Sequence, residues 1–145
     1  PQATFSRFFG QPFMPRHPND YISLFRRYIS AYHPSLYLVN TGWSGGPYGT
    51  GKRMDIELTR TIVRVVSSGA LRDAVCDEDA RFHFSVPRVI PGVDSRMLNP
   101  KNVWSDHDAY EKTATVLAQE FSDYFDRSFA SQIQDASIVS QCPGK

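Results

Sequence analysis

"LYLVNTGWSGGPYGTGKRMDIELTRTIVRVVSSG", Leu36 to Gly69, passes through three kinds of patterning without a break. Leu36–Val39 is a short apolar run with no helical period, bounded by Pro34 and Ser35 before it and Asn40, Thr41 and Gly42 after it, and reads as a buried strand. Five glycines and a proline follow between Gly42 and Gly51. Then Leu58, Ile62, Val65 and Val66 fall on one helical face, with Asp55 or Glu57 at the positive end and Gly69 at the stop. Strand, glycine loop and helix in that order predict an α/β protein, a mixed sheet with flanking helices, and a loop placed where such proteins bind nucleotides.

The loop nearly matches G-x-x-x-x-G-K-[ST]: Gly46, Gly51 and Lys52 fit, and Arg53 does not. In a working phosphate loop that last position supplies a hydroxyl to magnesium, and a guanidinium cannot ligate a metal. Two readings stand on the residues alone. One is a flexible surface turn with a basic end. The other is a ligand contact in which glycines let backbone approach, the helix start adds a dipole, and Arg53 and Thr59, about one turn in, face the same molecule.

Outward from this stretch, Tyr21, Phe25, Tyr28 and Tyr32 at spacings of four, three and four predict an amphipathic helix. Asn19 or Asp20 caps it, Pro18 suits its entry, and it ends before Pro34. After Gly69 an acidic loop, Asp77, Glu78 and Asp79, leads to a short strand at Phe82–Val86 closed by Pro87. Pro87, Pro91, Gly92 and Pro100 mark an irregular crossing segment. A second long helix opens with a capping box, Ser105 and Asp108, and keeps Tyr110, Ala114, Leu117, Phe121, Tyr124 or Phe125, and Phe129 on one face. From Ala130 the sequence is polar and aperiodic, so residues 130–145 are expected as a disordered tail.

The chain has 145 residues, 41% hydrophobic and 13% aromatic, enough for one domain with a core. Its 16 Lys plus Arg against 15 Asp plus Glu give a net charge of +1, which argues against nucleic acid or an anionic membrane as partner. No run of about 18 apolar residues and no basic-then-apolar leader is found, so the expectation is a soluble, cytoplasmic protein. Cys76 and Cys142 lie far apart, His17, His33, His83 and His107 lack ligand spacing, and Ser44 and Ser95 lack a nucleophile elbow. Neither a metal site nor covalent catalysis is indicated. The aromatic stripes read as core rather than a base-stacking platform. "PQATFSRFFGQPFMP", starting at Pro1, reads as the middle of a longer chain with several buried aromatics.

Taken in order, "ATFSRFFGQPFMPRHPNDY", "LYLVNTGWSGGPYGTGKRM", "LTRTIVRVVSSGAL", "FSVPRVIPGVDSRMLNPKNVW" and the closing helix resemble the C-terminal part of the ATP-dependent phosphoenolpyruvate carboxykinases. The GTP-dependent class looks different here. The resemblance runs from Ala3 to Phe129, with Phe8 standing where the family commonly has Cys, and leaves the tail outside. It implies that residues 1–129 are part of the C-terminal mononucleotide-binding domain of that fold. It also implies an enzyme converting oxaloacetate and ATP to phosphoenolpyruvate, carbon dioxide and ADP in gluconeogenesis, with Mg2+ and Mn2+ in the whole protein. Arg53, Met54 and Thr59 would then serve the adenosine side of the ATP pocket. The phosphate loop, the metal ligands and the oxaloacetate-gripping arginines would precede Pro1, leaving this segment without catalytic residues. A different class remains open: a non-catalytic nucleotide-binding or interaction module.

Overall fold

In a computed structural model the described residues are 11–133 and 136–145, and they fall into two compact units that divide between Tyr37 and Leu38. The aromatics of the opening before Gln11, Phe8 among them, lie outside the described residues. Phe13 is described and is exposed, not buried.

The first unit is built on α1, Pro18–Tyr32. Its cap is His17 rather than Asn19 or Asp20: the imidazole Nδ1 accepts from the Asn19 amide at 3.3 Å. Pro18 takes the first helical position, where its missing N–H costs nothing, and that moves the start two residues upstream. Asp20 lies in the first turn, favourable for the helix dipole. The helix stops where His33 turns left-handed at φ 45°, donating its amide to the Ile29 carbonyl at 2.9 Å. Along the predicted stripe Phe25, Tyr28 and Tyr32 are exposed, with Tyr28 and Tyr32 stacked at 6.0 Å.

The second unit departs from the expected mixed sheet. It holds two separate two-stranded antiparallel sheets, β1 (Trp43–Ser44) with β2 (Lys52–Arg53), and β3 (Cys76–Glu78) with β4 (Ser85–Pro87). Leu36–Val39 is not a strand, and Leu38 is 83% exposed. A strand exists through its neighbour's hydrogen bonds, and among the described residues none pairs with this run. The acidic residues Asp77 and Glu78 are solvated as expected but sit in β3, where Asp77 meets Arg88 at 2.6 Å. Asp79 shapes the following turn by accepting from the Arg81 and Phe82 amides at 3.0 and 2.8 Å. That turn uses Phe82 and His83, so β4 begins at Ser85.

Helix α2 spans Ile56–Ser67 between the Asp55 cap and a left-handed Gly69 at φ 75°, as the pattern predicts. Helix α3 spans His107–Ser128, but its cap is Asp106, whose Oδ1 accepts from the Ala109 amide at 2.9 Å. A carboxylate at this position is the stronger acceptor, so the expected Ser105 box slides by one residue. Its buried stripe is Ala114, Ala118 and Ser122, while Leu117 and Phe121 are exposed.

The middle one of these three small residues, Ala118, lies against the end of the chain. The expected disordered tail is replaced over its described part by a short helix α4, Ala136–Val139, and a seated terminus. Cys142 is buried, Lys145 pairs with Asp126 at 2.7 Å, and a Cβ on Gly144 would come within 2.6 Å of the Ala118 carbonyl oxygen. Leu71, Ile90, Ala114, Ala118 and Cys142 are buried apolar residues of the second unit. Burial pushes the Cys142 thiol above its usual range, Lys145 pulling the other way, whereas Cys76 is exposed. Titration with an aromatic disulfide at neutral pH should therefore give one fast thiol, lost in Cys76→Ser, and one that reacts only as the chain unfolds. Two thiols reacting at similar rates would refute the seated tail.

Candidate functional site

The loop between β1 and β2 closes on itself. The Thr50 and Gly51 amides donate to the Pro47 carbonyl at 3.0 and 2.8 Å, and beyond the ladder the Met54 amide donates to the Gly42 carbonyl at 2.9 Å. The amides that a phosphate cradle would offer at Thr50 and Gly51 are thus already used. The helix start is used as well: Asp55 Oδ1 accepts from the Glu57 amide at 2.6 Å. A capping carboxylate contributes about 1 kcal/mol to α2 and places negative charge where a phosphate would have to sit. Both features weigh against a phosphate loop here.

What the hairpin does form is one side of an open cleft of about 700 Å³. From the hairpin and α2 come Lys52, Arg53, Met54 and Leu58, and Met97, Val103 and Ser105 come from the irregular segment that precedes α3. That segment consists of two 3-10 turns, Ser95–Leu98 and Pro100–Val103, capped by Asp94 and Asn99, which accept from the Arg96 and Lys101 amides at 3.0 and 3.1 Å. The Arg96 guanidinium also holds the Asp94 carboxyl below its usual range. Gly45 lies so close to the segment that a Cβ there would be 2.9 Å from the Val103 carbonyl oxygen, and its φ of 78° suits only glycine well.

Of the three residues singled out in the sequence, the structure brings two to the cleft. Arg53, exposed on β2, and Met54, half-buried just after it, both line it. Thr59 does not: it is half-buried in the first turns of α2, with its Oγ1 donating to the Asp55 carbonyl at 3.1 Å. Neither Lys52 nor Arg53 has an acidic partner among the described residues, so both cations are available to an anionic ligand. Sequence reasoning missed Met97 and Val103, since a segment without periodicity gives no sign of which side chains face a cleft. Among the described residues no group of three or more His, Cys, Asp or Glu is placed to hold a metal ion. No helix among them is long and apolar enough to cross a membrane.

A family model described as phosphoenolpyruvate carboxykinase matches residues 1–96. A phosphoenolpyruvate carboxykinase (ATP) of Mesorhizobium japonicum is 44% identical over 143 residues, 99% of this chain. The chain belongs to the ATP-dependent phosphoenolpyruvate carboxykinase family. Other carboxykinases of this name, from Brucella anthropi at 46% over 99% of the chain and from Moorella thermoacetica at 43% over 96%, bear the same relation. Alignments over 143 residues also take in residues past Phe129, which the resemblance noted from motifs left out. The chain spans about a quarter of the length of these carboxykinases, 26% for the Mesorhizobium protein.

Proposed function

We propose that this chain is the part of an ATP-dependent phosphoenolpyruvate carboxykinase that receives the adenosine end of ATP. It belongs on this reading to the C-terminal mononucleotide-binding domain of that fold. The observation that carries the reading is the cleft itself. It combines an apolar lining, Met54 and Leu58, with two cations that lack acidic partners, Lys52 and Arg53, on a loop whose Thr50 and Gly51 amides are turned inward. Apolar surface suits a purine and ribose, and cations at its edge suit the polyphosphate leaving it. Thr59 serves here within the first turns of α2, its hydroxyl bonded to the Asp55 carbonyl.

The whole enzyme, on this reading, converts oxaloacetate and ATP to phosphoenolpyruvate, carbon dioxide and ADP in the gluconeogenic direction, in the cytoplasm. Phosphoryl transfer needs a phosphate cradle, in-line positioning and divalent ions to neutralise developing charge. Among the described residues no group of three or more His, Cys, Asp or Glu is placed to hold such an ion. No step is assigned to them beyond holding the nucleotide, and the isolated chain should show no carboxykinase activity.

Titration of the chain with a fluorescent ATP analogue should show saturable binding that ATP competes away. Binding that tripolyphosphate displaces as well as ATP does would overturn the adenosine-side reading, because the base would then contribute nothing.

A further inference from the structure

The motif "IPGVDSRMLNP", Ile90 to Pro100, is among the most distinctive in the sequence, yet the adenosine-side reading gives it no task. Its place in the fold suggests one. Ile90 is buried and anchors the start of the segment. Asp94 and Asn99 then fold the backbone into two successive capped turns. The second turn is tied down from outside: Lys101 pairs with Glu111 of α3 at 2.7 Å, and Glu111 also binds Arg81. Val103 presses its carbonyl against Gly45 of the loop. The segment is therefore held to both the hairpin and α3, and it carries Met97 and Val103 into the cleft that Met54 and Leu58 line.

We propose that Met97 and Val103 form a second wall of the nucleotide cleft and pack against the purine base. The proposal rests on the adenosine-side reading and extends it to a segment of unassigned role. A thioether is polarisable and adapts to a flat aromatic surface, and a branched aliphatic side chain adds a rigid flank. Bonds that fix the wall before binding lower the ordering cost when the base arrives. Their apolar side chains recognise the base by shape and contact rather than by hydrogen bonds, so truncation should weaken every ligand that carries a purine base and spare those without one.

The test is photolabelling with 8-azido-ATP followed by tryptic mapping, together with titrations of variants of the full chain. Label competed by ATP is expected on Met97–Lys101 or Asn102–Lys112, alongside Met54–Arg60. Met97→Ala should weaken ATP and adenosine about tenfold, the loss expected for removing a few methylene-sized groups from contact. It should leave tripolyphosphate unchanged, and Met97→Leu, which keeps the volume, should restore most of the affinity and guard against a folding defect. Absence of label on both peptides, or unchanged ATP affinity in Met97→Ala and Val103→Ala while Arg53→Ala still weakens it, would overturn this wall and leave the adenosine-side reading standing. A wild-type chain that binds no nucleotide saturably would overturn both.

Discussion

Replacing Gly51 with alanine is expected to cost about 3 kcal/mol and to dismantle the hairpin that carries Lys52 and Arg53. The added Cβ would lie 2.2 Å from the Gly46 carbonyl oxygen and 2.7 Å from that of Ser44. Both obstacles are backbone, so no side-chain rotation relieves them. The chain must move instead, breaking the Gly51 amide bond to Pro47 and the pairing of Ser44 with Lys52. Gly49→Ala is the control: its φ is 91°, but nothing lies within 4 Å of its Cβ, so the cost is the conformational penalty of about 1 kcal/mol alone. Urea unfolding followed by tryptophan emission reads the difference, since Trp43 sits in β1 with its ring 5.2 Å from that of Tyr48. Equal midpoints for the two variants would show that the hairpin does not need the close approach at Gly51.

The helices were legible in the sequence because their signals are local. Asp55 and Gly69 bound α2 as their chemistry requires, and Pro34 follows the end of α1. Caps shifted by one or two residues at His17 and Asp106, where Pro18 fixes the first helical position of α1 and a carboxylate outcompetes the Ser105 hydroxyl at α3. Strand pairing was not legible, since it depends on residues far away in the chain. Leu36–Val39 has the composition of a strand and no partner for it among the described residues, while exposed Asp77 and Glu78 lack that composition and pair with Val86 and Ser85. The tail was misjudged for a related reason. Gly144 sits against Ala118, which belongs to a buried stripe with Ala114 and Ser122 that is too small to register as an apolar face, and Ala118 is small enough to let another backbone close.

In the cleft, Arg53 and Met54 were recoverable because a glycine loop marks them in a contiguous stretch. Their setting reverses the first inference from that stretch: the broken position of the phosphate-loop pattern holds the residue with the clearest use. Met97 and Val103 lie 43 and 49 residues after Met54 and are brought to the cleft by turns, caps and the Glu111 pairs, which no spacing rule records.

Arg53→Ala should weaken binding of an ATP analogue by roughly 10- to 100-fold, the range for losing a charge-assisted contact to an anion. Arg53 lines the cleft, is exposed, and has no acidic partner among the described residues. Removing it therefore breaks no internal ion pair, and the fold should be as stable as before. That separates this variant from Gly51→Ala, in which affinity and stability fall together. Arg53→Lys keeps the charge but loses the planar fork, so it should recover only part of the affinity. Adding salt should narrow the gap between wild type and Arg53→Ala for ATP, because an exposed charge is screened, while adenosine should bind the two nearly alike. If Arg53→Ala instead weakened adenosine as much as ATP, the arginine would be contacting the nucleoside rather than its phosphates. If it weakened neither, the cleft would not be the nucleotide site.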